Sequence, residues 1–245
     1  MSLEGKKILI VGASRGIGET IAKSLIKEKV KVIASSRNLI NFECEFVELD
    51  ITFQNSINNL KEYLKRKHQS LNGIVFTAGI SLPPKKKIDK LNENKLQDPK
   101  VFRELLNTNL ISIYDCIYSL EGLLENNSSI ILISSIGAYL AFPHNTGYQV
   151  SKAGLESMSR SLAYELGEKN IRANTIVLGY FKTEMTLESF KDLKLRNERA
   201  DRTILKRWGE RNEIIGAVKF LLSDDSSYIT GSNITIDGGW LAKGL

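Results

Sequence analysis

The sequence predicts a doubly wound α/β fold, a parallel sheet of about seven strands with helices on both faces. Two observations carry this. Short, nearly continuous runs of Ile, Val and Leu recur along the whole length, as strands buried on both faces require. Longer segments of helical character separate them, so strand and helix alternate from one end to the other. No repeat, low-complexity tract or linker interrupts the alternation, and residues 1–245 read as a single domain.

The first strand is KILIV at 7–11, stopped by Gly12, and a helix follows at 18–28. KVIAS at 31–35 and EFVEL at 45–49 are the next apolar runs, with a helix at 55–67 after them. GIVFT at 73–77 and SIILIS at 129–134 flank a long helical stretch at 101–124. A helix at 147–168 leads to RANTIV at 172–177, and one at 213–222 leads to NITI at 233–236. Two segments break the rhythm: a polar one at 81–98 holding Pro83, Pro84 and a lysine triplet, and a charged, weakly helical one at 179–202. Long irregular segments in a compact domain are often binding loops or lids.

Composition excludes several classes. Cys44 and Cys116 form no close pair, and His68 and His144 are the only histidines, too few for a structural zinc site or other metal centre. The same inventory offers no disulfide framework, so a reducing cytoplasm is the expected compartment. No run of about 18 apolar residues suggests a membrane span. Lys6 and Lys7 precede a short apolar run that ends in glycine, which reads as strand and turn rather than signal peptide. The net charge of +6 is spread among acidic residues, and PPKKK has no interleaved aromatics, so no nucleic-acid partner is expected.

The turn VGASRGIGET joins the first strand to the first helix. Gly12 permits a tight turn, Gly16 lets backbone approach a pyrophosphate, and Gly18 lets helix and strand pack closely, the features of a Rossmann-type dinucleotide site. The helix N-terminus adds unpaired N–H groups and partial positive charge. In such sites an acid beyond the second strand accepts from the ribose 2′-OH of NAD. Here that strand ends in ASSRN: Ser35 and Ser36 are neutral and Arg37 is basic, with Arg15 a second cation in the turn. The expected cofactor is therefore NADP(H) in preference to NAD(H).

YQVSK places Tyr148 and Lys152 four apart on one helical face. An ammonium near the phenol is expected to lower its pKa from about 10, making Tyr148 an acid toward a ketone or a base toward an alcohol. YLKRK repeats the spacing at Tyr63 and Lys67, but among Lys61, Lys65 and Arg66 it reads as a solvated face. Only the first pair has Ser135 thirteen residues upstream, at the carboxyl end of SSIILISS, where open α/β sheets bind ligands.

These motifs together resemble the short-chain dehydrogenase/reductase family over essentially the whole chain. Besides the glycine turn, the resemblance rests on Asp50 in ELDI, Thr77-Ala78-Gly79, Asn109 in NTNL, the segment LGYFKT from Leu178 to Thr183, and the ending YITGSNITIDGGW. It implies a catalytic set of Asn109, Ser135, Tyr148 and Lys152. Tyr148 would transfer the proton, Ser135 would hold the substrate oxygen, Lys152 would grip the nicotinamide ribose, and Asn109 would hold a water of a proton relay. It implies cofactor contacts at Gly12, Ser14, Arg15, Gly16, Ile17, Gly18, Arg37, Asp50, Ile51, Ala78, Gly79, Gly179, Phe181 and Thr183, besides Tyr148 and Lys152. It also implies a homotetramer built on the helices at 101–124 and 147–168. Two positions depart from the family pattern. Thr77 stands for the usual asparagine and keeps a hydrogen-bonding hydroxyl, whereas Leu178 stands for the usual proline and is expected to loosen the turn beside the nicotinamide.

Among family members, the 3-oxoacyl-carrier-protein reductases present basic residues to an acidic carrier. The corresponding stretch here, EGLLENNSS, is acidic to neutral, and only Lys169 suits such a patch. A small polar or sugar-like carbonyl substrate is therefore preferred, with the carrier-protein reductase second. A nucleotide-binding regulator without turnover is the alternative from another class.

Overall fold

In the computed structural model, which describes residues 2–81 and 96–243, one parallel seven-stranded sheet runs in the order β3-β2-β1-β4-β5-β6-β7. The strands are β1 (Lys7–Val11), β2 (Lys31–Ser36), β3 (Glu45–Glu48), β4 (Leu71–Phe76), β5 (Leu124–Ser135), β6 (Arg172–Leu178) and β7 (Asn233–Ile236). The helices are α1 (Gly16–Lys27), α2 (Gln54–Lys67), α3 (Pro99–Leu106), α4 (Ser112–Leu120), α5 (Thr146–Leu166), α6 (Leu187–Lys191), α7 (Leu193–Arg202) and α8 (Ile215–Leu222). Most of the polar segment at 81–98, including its prolines and lysine triplet, lies outside the described residues.

Side-chain alternation along the strands sorts the core into two layers. Leu9 and Val11 of β1 face a cluster completed by Ile57, Leu60 and Leu64 of α2, Ile113 and Ile117 of α4, and Leu155 and Leu162 of α5. Ile8 and Ile10 face the opposite cluster, with Ile21 and Leu25 of α1 and Val218 and Leu221 of α8. Both faces of β1 are thus sealed, which explains why it reads as an unbroken apolar run.

The helix expected at 101–124 is four pieces. Asp98 caps α3 by accepting from Lys100 N at 2.7 Å, with Pro99 in the first turn. A π turn, Asn107–Ile111, then separates α3 from α4, and a 3-10 turn, Glu121–Leu123, ends the stretch. The strand expected to start at 129 instead starts at Leu124, paired with Leu71 of β4. The register then shifts between Leu71 and Gly73, and Asn127 takes a left-handed φ of +69°. Residues 125–128 fall in this shift rather than in the ladder, and a side-chain bond from Asn72 Nδ2 to the Glu125 carboxylate at 2.7 Å ties them to β4. The segment at 179–202 is helical in part, as α6 and α7.

β1 and β4 are neighbours, and the chain leaves them in opposite directions across the sheet. This reversal opens a crevice at the carboxyl ends of the strands. The crevice is narrow because α1 approaches its own strand at backbone contact. A Cβ on Gly18 would collide with the Gly12 carbonyl, lying 2.8 Å from its carbon, whereas one on Gly216 in α8 would meet nothing within 4 Å. Gly18→Ala is therefore expected to lower the melting temperature by roughly 3–10 °C through overpacking, while Gly216→Ala raises it by roughly 1–3 °C. Differential scanning calorimetry of the two variants checks both signs.

Candidate active site

The turn after β1 is a cradle of backbone. Gly12 (φ +96°) and Gly16 (φ +60°) hold conformations that side chains disfavour, and a Cβ on Gly12 would lie 2.6 Å from Ala78 N. Thr77, standing for the family asparagine, ties the turn down: its Oγ1 lies 2.9 Å from Val11 O and 3.1 Å from Gly12 O. Arg15 is the N-cap of α1 and carries no acceptor, so no side chain caps the first-turn N–H groups beyond Ser14, those of Gly16, Ile17 and Gly18. These features fit a dinucleotide phosphate, since the backbone can approach it and its donors lie at the positive end of a helix. The Glu184 carboxylate lies over the same turn, 3.0 Å from the position of a Gly16 Cβ, and pairs with Arg211 at 3.6 Å.

At the adenosine end, Val11 and Ser35 are register partners, which brings the carboxyl ends of β1 and β2 side by side. The exposed Arg15 and Arg37 follow those ends. The Ser36 hydroxyl donates to Asn38 O at 2.7 Å, so a phosphate there would meet guanidinium donors rather than this hydroxyl. Asp50 lies beyond β3, with Oδ1 accepting from Thr52 N at 2.9 Å and Thr52 Oγ1 at 2.6 Å; Ile51 beside it is buried.

The Asn109–Ser135–Tyr148–Lys152 set converges at the ends of β4 and β5. The π turn brings Asn109 inward, fully buried, where its Oδ1 accepts from Ile80 N at 2.8 Å and its Nδ2 donates to Ile80 O at 2.8 Å. A Cβ on Gly79 would fall between Asn109 Oδ1 (3.4 Å) and Lys152 Nζ (3.7 Å), so the glycine keeps these two groups open to each other. Ser135 ends β5, and its Oγ accepts from Gly137 N at 3.1 Å. A Cβ on Gly137 would lie 3.5 Å from both Ser135 Oγ and Tyr148 Cε1.

Tyr148 corrects one expectation. Burial pushes its phenol above the ordinary value; the hydrogen bond with Ser135 offsets part of this, and the neighbouring Tyr180 adds to it. Lys152 lies near the ring as expected but does not lower the phenol's pKa. Its Nζ lies 5.6 Å from the ring centroid and donates to Ile133 O at 2.7 Å. Burial holds the amine down to about 8. The site thus keeps Tyr148 protonated, in the form that donates, beside a hydroxyl able to share the same oxygen.

Beyond β6, Leu178 is buried in the ladder, in register with Ser135 on one side and Ile236 on the other. The ladder therefore holds the backbone that was expected to loosen. Gly179 is required by close approach, since a Cβ there would lie 2.7 Å from Asp237 Cα. The Phe181 ring is buried against Gly209, which leaves its backbone rather than its ring to face a cofactor. Thr183 and Thr186 form a reciprocal capping box at the start of the segment leading to α6. Tyr180, between Gly179 and Phe181, was not singled out in the sequence. It packs at 5.2 Å from Trp208 and 5.1 Å from Trp240, forming an aromatic wall next to the Ser135–Tyr148 pair. Among the described residues no His, Cys, Asp and Glu cluster could hold a metal.

Fold and site together define a dinucleotide-dependent oxidoreductase of the doubly wound class. Residues 12–241 match the family model described as enoyl-(acyl carrier protein) reductase. The chain is 32% identical over 250 residues to an L-xylulose reductase of Caenorhabditis elegans, covering 96% of this chain and 95% of that protein. It is 31% identical over 253 residues to a 3-oxoacyl-(acyl-carrier-protein) reductase of Thermotoga maritima, covering 98% of this chain and 99% of that one. The crystal structure of a short chain dehydrogenase family protein from Francisella tularensis superposes with a TM-score of 0.86 at 27% identity, covering 98% of this chain and 100% of that one. The chain belongs to the short-chain dehydrogenase/reductase family, oxidoreductases acting on CH–OH and keto groups.

The depressed Lys152 makes a stability prediction. A folded pKa of about 8 against an ordinary 10.5 means that the unfolded chain binds this proton more tightly. Stability from this group therefore rises as pH climbs from about 8 to 10.5, and the full penalty applies below 8. Lys152→Met removes the penalty but also a hydrogen bond, so at pH 7 it is expected to be more stable by roughly 2 kcal/mol. Urea unfolding at pH 7 and pH 10.5 checks this; a gap that widens with pH refutes it.

Proposed function

We propose that this enzyme interconverts a ketone and a secondary alcohol with NADP(H), on a small polar or sugar-like substrate. The observation that carries the reading is the protonated Tyr148 phenol beside the Ser135 hydroxyl, at the strand ends that face the glycine turn. When bound, the nicotinamide supplies or accepts the hydride. Tyr148 Oη then gives a proton to the carbonyl oxygen in reduction and takes one from the hydroxyl in oxidation, while Ser135 Oγ hydrogen-bonds the same oxygen. Lys152 would hold the nicotinamide ribose, and Asn109, close to its amine, would hold the water that carries protons onward. Gly12, Ser14, Gly16, Ile17 and Gly18 would take the diphosphate, and Asp50 and Ile51 the adenine. Ala78, Gly79, Gly179, Phe181 and Thr183 would border the rest of the cofactor. Arg15 and Arg37, both exposed at adjacent strand ends, support a 2′-phosphate.

The L-xylulose reductase relative supports a sugar-like substrate. A 3-oxoacyl-carrier-protein reductase remains the second reading, supported by the Thermotoga relative. The ion pair of Lys169 with Glu121 at 2.9 Å weighs against it, because the one lysine suited to a carrier patch is neutralised. A regulator without turnover would leave the buried amine and raised phenol without a use. We also propose a cytoplasmic homotetramer. Leu155 and Leu162 of α5 face the sheet, while Val150 and Tyr164 of α5, with Tyr114 and Tyr118 of α4, stay exposed and offer a second apolar surface for a partner copy. Among the described residues no helix is long and apolar enough to cross a membrane.

Tyr148→Phe is expected to lower turnover by about 10²–10⁴-fold with cofactor affinity retained. Tyr63→Phe, whose hydroxyl bonds Glu45 at 3.0 Å far from the strand ends, should match wild type. Steady-state assays of nicotinamide absorbance over a panel of ketoses and polyols test both; undiminished activity in Tyr148→Phe refutes the mechanism. In calorimetric titrations NADP should bind roughly 10–150-fold tighter than NAD, with a preference that weakens as salt rises. The double variant Ser36→Asp/Arg37→Ala should reverse it, and equal affinities in wild type would overturn the cofactor assignment.

A further inference from the structure

Among the described residues, two buried side-chain atoms lack a hydrogen-bond partner: Asn145 Oδ1 and Arg199 Nη1. Each is tied to Tyr148 through a neighbour, Asn145 through the first turn of α5 and Arg199 through Tyr180. Asn145 is the N-cap of α5, three residues before Tyr148, yet its side chain makes no capping bond. The first-turn donor at Gly147 is taken by Gln97 Oε1 at 2.7 Å instead, which releases the Asn145 amide from the usual N-cap duty. Arg199 stacks 4.4 Å over the Tyr180 ring and 5.8 Å from Trp208. Tyr180 in turn shares a cluster with Ile136 and Phe142, the residues flanking Ser135 and Gly137.

The arginine is one of a row. Arg196, Arg199 and Arg202 recur every three residues on α7 and lie over Phe190, Tyr180 and Trp240 respectively. Trp208 Nε1 donates to Arg196 O at 2.9 Å and pins the helix to this wall. Two arginines beyond the helix are neutralised: Arg207 binds Glu213 with nitrogens at 2.8 and 2.6 Å, and Arg211 pairs with Glu184. No carboxylate of the described residues forms an ion pair with Arg199. Stacking satisfies the face of a guanidinium, but its in-plane N–H groups still need acceptors. A buried donor left without one calls for an acceptor from outside the protein, a water, an ion or a ligand.

We propose that Arg199 binds a carboxylate of the substrate and that the Asn145 amide accepts from one of its hydroxyls, so that the enzyme acts on hydroxy or oxo acids of the sugar-acid type. This rests on the ketone–alcohol reading above and narrows its substrate class. A planar carboxylate suits the in-plane edge of a stacked guanidinium, and a hydroxyl of the same substrate suits the open amide oxygen at the start of α5.

The test compares 5-keto-D-gluconate with the neutral ketoses L-sorbose and L-xylulose, in wild type, Arg199→Met and Arg199→Lys. Arg199→Met keeps an apolar stem against the aromatic wall, and circular dichroism confirms its fold. Wild type should prefer the keto acid. Arg199→Met should raise its KM about 10–100-fold with kcat nearly unchanged, leave the ketoses within about twofold, and Arg199→Lys should recover part of the loss. Equal losses on acid and neutral substrates, or no loss on the acid, overturn the proposal. Turnover of ketoses alone overturns it while leaving the ketone–alcohol reading intact. Absence of turnover on every substrate counts against that reading, and the site is then read by calorimetric binding of 5-keto-D-gluconate to the NADP-loaded protein. Binding lost in Arg199→Met supports the carboxylate site, and binding that is absent or equal in both proteins overturns it.

Discussion

A buried ammonium bonded to a strand carbonyl sets the geometry of everything around it. Lys152 is 6% exposed and donates to Ile133 O at 2.7 Å, so α5 has to lie directly on β5. Other polar bonds hold the helix at that height. Ser134 Oγ lies 3.1 Å from Lys152 O and 3.0 Å from Glu156 Oε1, and Asn233 Nδ2 reaches Glu156 Oε2 at 3.0 Å. Each such bond contributes only about 1 kcal/mol net, but leaving its buried partner unmade costs about 1–3 kcal/mol, which fixes the seating more firmly than it stabilises it. With α5 seated, its first turn projects past the end of β5, and Tyr148 arrives beside Ser135.

The same burial divides labour between phenol and amine. It pushes the phenol up and the amine down, because each loses solvation of its charged form. The phenol therefore holds its proton. The decoy pair shows what helical spacing alone produces. Lys67 Nζ sits 3.0 Å from the Tyr63 hydroxyl, closer than Lys152 comes to Tyr148, but Lys67 is exposed and its tyrosine bonds Glu45. Contact between the two side chains is thus the wrong measure of function. Burial at the strand ends and a serine within reach separate the pairs.

Those features explain what could be read from the chain. The strands were legible because sealed strands are apolar on both faces, and β1 and β7 have the expected ends. Gly12 and Gly18 were legible because a backbone approach leaves no room for Cβ at either position. The π turn was not legible, since one inserted residue barely disturbs a periodicity of 3.6 yet turns Asn109 inward. The early start of β5 was hidden because a single pair, Leu71 with Leu124, precedes a register shift that local composition does not reveal. The wall of Tyr180, Trp208 and Trp240 joins residues scattered along the last third of the chain, and nothing in their spacing announces the meeting.

The proposed roles divide by how each group is held. The residues proposed for the chemistry stand on β1, β4, β5 and α5, where neighbouring elements fix each group by several bonds. The proposed substrate side stands on the segment after β6, where α7 is held to the protein by the Trp208–Arg196 bond and by arginines stacked on aromatic rings. Stacked contacts tolerate exchange of one side chain better than a buried hydrogen-bond network does, because no polar partner is stranded when a ring or cation changes. On the proposed reading, substitutions on α7 would therefore change recognition beyond the reacting carbon without stranding a buried polar partner. Tyr180, packed with Ile136 and Phe142, and Glu184, lying over the Gly16 turn, link the two regions.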